Sequence, residues 1–174
     1  VIHILAFGKS EIIIIIYKRR VMKVLKPADA KKQKDKDMKI ILYGDSITDM
    51  GRDRNADFEC YAFGCGYSAR VAGDLYYKDS AKYTVLNRGI SGDRSVDLYA
   101  RLKEDVWNLK PDVLSVLIGI NDFCREIGNR SGVDPVRFEK VYRAVIEETR
   151  EKFPAVKFIL MEPFVLKGSA TEEN

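Results

Sequence analysis

The chain has 174 residues, 46% of them hydrophobic and 32% charged, the make-up of an ordinary soluble globular protein long enough to bury one core. Its net charge of +4 is unevenly placed: residues 1–37 hold ten Lys/Arg against four Asp/Glu, whereas the remainder holds 20 against 22. The body is therefore slightly acidic, which excludes a general phosphate-attracting surface, and no nucleic-acid partner is expected.

Residues 1–37 read as an N-terminal extension and linker outside the domain, which is taken to span 38–174 and to owe nothing of its core to them. The apolar run Ile12–Ile16 has its positive charges behind it, at Lys18, Arg19 and Arg20, the reverse of a secretory signal. Lys9 and Glu11 keep it too short for a membrane span. A cytoplasmic location without membrane attachment is the expectation. Residues 31–37 (KKQKDKD) form a solvated charge run, and Met38, just ahead of the first strand, reads as the natural start.

From Met38 onward, strand-like and helix-like segments alternate. Lys39–Tyr43 is a short, almost wholly apolar run stopped by Gly44, which predicts a strand buried on both faces. Tyr67, Val71 and Leu75 recur every four residues and predict a helix. Lys82–Leu86 is a second strand candidate, and Val96, Tyr99, Leu102 and Val106 set the apolar stripe of a helix over 95–109. Asp112–Ile118, ended by Gly119, is the third strand. Asp134 as N-cap and Pro135 at the first position open the clearest helix, with a stripe of Phe138, Val141, Tyr142, Val145, Ile146 and Phe153. Val156–Met161 is the fourth strand. Fully apolar strands alternating with helices imply a parallel sheet covered on both faces. Cys60, Cys65 and Cys124 have neither metal-ligand nor disulfide-framework spacing, and read as reduced, buried structural thiols.

In such sheets ligands sit beyond the carboxyl ends of the strands, where the strand order reverses. The loops that follow the strands therefore matter most: residues 44–48 (GDSIT) after the first, 87–93 (NRGISGD) after the second and 119–122 (GIND) after the third. Each alone has a plain structural reading, as an N-cap serine, a permissive glycine turn and a turn-forming asparagine.

Together, in this order, the three blocks resemble the SGNH hydrolase family, also called GDSL esterases and lipases, over roughly Met38–Asn174. The resemblance implies a three-layer α/β/α sandwich with a flavodoxin-like parallel sheet, four of its five strands present here. It implies serine ester hydrolysis with Ser46 as nucleophile. The oxyanion hole would be formed by the backbone N–H groups of Ser46 and Gly92 and the side-chain amide of Asn121, each donor worth about 2.7–4 kcal/mol. Gly89 is the rival glycine in the second block; the family pattern favours Gly92. Asp45, Asp93, Arg94 and Asp122 are expected to orient these loops. No cofactor and no metal is implied.

The family also carries a late DxxH block, after a fifth strand, that supplies the catalytic base. The only histidine here is His3, with no aspartate before it, and residues 167–174 form a polar tail after the fourth strand. The sequence thus reads as truncated. As given, the chain is expected to be nearly inactive and prone to aggregate through an uncovered fourth strand. The expected substrate is a small-molecule ester, a short acyl group such as O-acetyl on a carbohydrate. The alternatives are a lysophospholipase or thioesterase of the same family, a non-catalytic domain that has lost its histidine, and a flavodoxin-like binding protein, which GDSIT with GIND fits poorly.

Overall fold

A computed structural model of the chain describes residues 13–14, 37–56 and 60–164. The strands are β1 (Ile13–Ile14), β2 (Met38–Gly44), β3 (Tyr83–Gly89), β4 (Val113–Leu117) and β5 (Lys157–Met161), and the helices α1 (Ser46–Asp49), α2 (Tyr67–Asp79), α3 (Ser95–Asp105), α4 (Ile120–Asn129) and α5 (Pro135–Lys152). The sheet is parallel throughout and ordered β1-β5-β4-β2-β3. Four strands thus lie where the sequence puts them, in flavodoxin-like order.

Alternation along β2 explains the layers. Ile41 and Tyr43 face a core shared with Leu86, Leu114, Val116 and Phe158, capped by Leu98 and Leu102 of α3 and Val145 and Ile146 of α5. Ile40 and Leu42 face the other way, onto Phe63 and Ala72 of the α2 side. Side chains of a strand point alternately to opposite faces, so a strand covered twice must be apolar at every position.

The structure departs from the sequence reading in four places. The core face of α3 is Ser95, Leu98 and Leu102; Tyr99, expected in the stripe, is 42% exposed and hydrogen-bonds Glu148 on α5. Residues 120–129 form a helix, α4, where a loop was expected. Cys65 and Cys124 are free thiols but exposed rather than buried, and the Cys60 side chain lies outside the described residues, as does His3.

The fourth departure lies at the sheet edge. The strand beyond β5 was expected to be absent, leaving β5 uncovered. Instead Ile13 and Ile14, from the segment read as non-domain, pair in parallel with Ile159 and Leu160. Among the described residues, this edge position is filled beside Ile159 and Leu160 alone.

Candidate active site

The strand order reverses between β2 and β4, the two strands on either side of the switch point. Ser46 follows β2, Gly92 follows β3 and Asn121 follows β4, so all three candidate residues stand at the carboxyl end of the sheet around that crevice.

Ser46 opens α1, a single turn capped by Asp45, whose Oδ1 accepts from the Ile47 N–H at 3.0 Å. This turn is seated by residues of the second block. Asn87 donates to the carbonyl oxygens of Thr48 (2.7 Å) and Phe63 (3.1 Å) and accepts from the Gly89 N–H (2.9 Å). The Tyr67 hydroxyl meets Thr48 Oγ1 at 3.0 Å, and burial pushes its pKa up to about 12. Asp45 is fully buried, and burial, with Asp122 and Asp93 adding to it, raises its carboxyl pKa above the usual range against the Ile47 hydrogen bond.

Asp49 was not singled out from the sequence, yet it joins the first two loops. Its buried carboxylate accepts from Ser91 N (2.9 Å), Arg52 N (3.2 Å) and the Arg54 guanidinium (3.0 Å). Burial raises its pKa, but these donors outweigh that and hold it below the ordinary value. The signal available was an acid three residues after the serine, on the same short turn.

The third loop binds the second through α4. The Asn121 amide donates to the Asp93 carbonyl at 2.8 Å. Asp122, buried, accepts from the Ser95 N–H at 2.9 and 3.0 Å and from the Ser95 hydroxyl at 2.5 Å. Arg125 donates to the Gly92 carbonyl at 2.7 Å. Arg94 is held by Asp97 and by the Ser131 carbonyl. The four residues expected to orient loops thus do so, and Asn121 lies in the first turn of a helix instead of a loop.

A donor-by-donor accounting separates the two glycines. From Ile90 to Ser95, the N–H groups of Ile90, Ser91, Asp93, Arg94 and Ser95 all find acceptors. The Gly92 N–H has none among the described residues, and Gly92 takes the left-handed φ of 88°. Its neighbours' N–H groups are all bonded within the protein, so in this half-buried loop Gly92 alone among 90–95 offers its N–H outward. Gly89 is different: its N–H is taken by Asn87, and its Cα abuts the α1 backbone. Over Ser46–Met50 the same holds: Ile47, Thr48, Asp49 and Met50 donate within the turn, and the Ser46 N–H has no acceptor among the described residues. The Asn121 amide nitrogen carries two hydrogens, of which Asp93 takes one. Three donors at three strand ends therefore remain available to a ligand oxygen. None of the described residues is a histidine.

Residues 42–174 match the GDSL-like lipase/acylhydrolase family. An acetylxylan esterase from Geobacillus stearothermophilus is 40% identical over 139 residues, covering 75% of this chain and 62% of that protein. The crystal structure of that organism's acetylxylan esterase superposes with a TM-score of 0.69 at 38% identity, covering 80% of this chain and 66% of the other. A Parabacteroides merdae protein described as a GDSL-like lipase superposes with a TM-score of 0.75 at 38% identity, over 80% and 66% of the two chains. The chain thus spans somewhat under two thirds of the length of the acetylxylan esterase it matches.

Proposed function

Because the chain belongs to the GDSL-like lipase/acylhydrolase family, we propose that it carries the nucleophile and oxyanion hole of a serine esterase that removes short acyl groups, O-acetyl first, from a carbohydrate. The observation that carries this reading is a set of donors unpaired among the described residues: the N–H groups of Ser46 and Gly92 and the second Asn121 amide hydrogen. In this mechanism Ser46 Oγ attacks the ester carbonyl carbon and gives its proton to a general base. The carbonyl oxygen becomes an oxyanion held by the three donors, and the alcohol leaves with a proton returned by the base. Water then attacks the acyl-Ser46 ester by the same steps in reverse order, releasing the acid. The base corresponds to the histidine of the family's DxxH block, which has no counterpart in residues 38–174.

Two measurements on the product of the complete gene test the reading. Asn121→Ala is expected to lower kcat by about 10²–10³-fold, the loss typical of one oxyanion donor, with KM little changed. A kcat within a few-fold of wild type removes Asn121 from the hole. The acetyl preference, supported by the acetylxylan esterase relative, is tested with p-nitrophenyl esters of increasing chain length. We expect kcat/KM to be highest for acetate and at least about tenfold lower for octanoate, which is six carbons longer, since a misfit of a single methylene already commands about 10–200-fold. A maximum at octanoate would favour a lysophospholipase or thioesterase instead.

A further inference from the structure

We propose that Arg101 of α3 is a positioning residue that locks the Ser46 turn and the Gly92 loop at a fixed separation; the inference rests on the reading of both as oxyanion donors. Its guanidinium uses four of its five N–H groups on three different segments. Nε donates to Asp93 Oδ2 at 2.7 Å, next to Gly92. Nη2 donates at 3.1 Å to the carbonyl of Gly44, whose peptide leads into Asp45 and Ser46. Nη1 donates to the Arg88 carbonyl at the end of β3 (2.9 Å) and to Asp105 of its own helix (2.6 Å).

The guanidinium is also fixed from behind. It lies 4.5 Å from the centroid of the Tyr43 ring, and the Tyr43 hydroxyl is itself bonded to the Leu98 carbonyl at 2.5 Å. The side chain is only 14% exposed, so it is embedded in the fold and flanked by the Asp93 and Asp105 carboxylates. A planar fork spreads its donors over three nitrogens in set directions and here reaches four carbonyl and carboxylate groups at once; an ammonium has only three N–H groups, all on one nitrogen. The Gly44 carbonyl also accepts from Ile90 N at 3.0 Å, so the peptide before the nucleophile is tied to the glycine loop twice, and Arg101 supplies the side-chain tie. Losing it leaves, among the described residues, only the Ile90–Gly44 and Ser91–Asp49 bonds between the two segments, which lets the Gly92 loop shift relative to the Ser46 turn, and an offset of about 1 Å at a reacting centre can cost about 100-fold in rate.

The test compares Arg101→Met, Arg101→Lys and Ser46→Ala in the product of the complete gene, each with p-nitrophenyl acetate kinetics and a melting curve. Arg101→Met is expected to reduce kcat by about 100-fold with KM within about threefold of wild type, because the hole acts on the transition state. Arg101→Lys, which keeps the charge beside Asp93 and Asp105 but loses the fork, should recover only about tenfold of that. A merely structural arginine would move the melting temperature without dividing kcat from KM. Should Arg101→Met fail to fold, Arg101→Lys decides. Folded variants with wild-type kcat overturn the inference while Ser46→Ala remains inactive. An active Ser46→Ala would instead overturn the underlying reading of the site.

Discussion

Ser46→Ala is expected to remove ester hydrolysis almost completely, by about 10⁶-fold in kcat, the order found when the serine of a triad enzyme is deleted. The residual rate, roughly 10³–10⁴-fold above water, comes from the oxyanion hole and binding. The loss should be nearly all in kcat, since the hydroxyl contributes bond formation and not ground-state binding. Stability should hardly change: Ser46 is half-buried, and no hydrogen bond to its hydroxyl is formed by the described residues. The measurement is p-nitrophenyl acetate turnover by wild type and variant, with the 174-residue chain run beside the product of the complete gene. Since no histidine lies in residues 38–174, we expect turnover only from a protein that also supplies the DxxH histidine. Robust Ser46-dependent turnover by residues 1–174 alone would point to His3 or a second subunit as the base.

Gly89→Ala should be a severely damaging single-methyl change at the end of β3. A Cβ at position 89 would lie 2.3 Å from Asp49 N, 2.7 Å from the Thr48 carbonyl carbon and 2.8 Å from Asp49 Cα. These are backbone atoms of α1, so no rotamer change relieves the clash; the end of β3 and the turn carrying Ser46 must separate. Overpacking typically costs about 1–3 kcal/mol, and a backbone-to-backbone collision belongs at or above the upper end. For a domain of this size that is a fall in Tm of about 6–12 °C. Activity should fall with it even well below the melting point, because the displaced element carries the nucleophile. Gly73→Ala provides the contrast. A Cβ at that position, in α2, meets nothing within 4 Å, and the change should stabilise by about 0.5–1 kcal/mol through the greater helix propensity of alanine. Equal melting temperatures for the two variants would refute the close packing of α1 on β3.

The elements read most easily from sequence are those whose two neighbours are both apolar. β2 to β5 announce themselves as apolar runs because helices cover both faces of the sheet. α5 does so through an N-cap, a proline and a single-sided stripe. α4 stayed hidden because its polarity is inverted: Asp122 is buried against Ser95, while Phe123 and Ile127 are more than half exposed. A pattern search that assumes apolar residues point inward cannot phase such a helix. In α3 the same assumption chose Tyr99 over Leu98, since either residue completes a stripe with Leu102 and Val106, and only the direction of the sheet decides between them.

By itself, the sequence determined the order of strands and helices, hence the parallel α/β sandwich, and the three short blocks that follow the strands, hence the family. Those are local matters: a strand's period, a cap or a glycine turn depends on neighbours within a few positions. Tertiary structure alone decided which of two glycines keeps its N–H free, that Asp49 ties Ser91 to the nucleophile turn, that Arg101 reaches Gly44 across 57 residues of chain, and that Ile13 and Ile14 line the far edge of the sheet. Each of these depends on which polar groups the folding of distant segments brings within bonding distance. An N–H is free only if nothing elsewhere in the chain has claimed it, and that is a property of the whole hydrogen-bond network, not of any stretch of sequence.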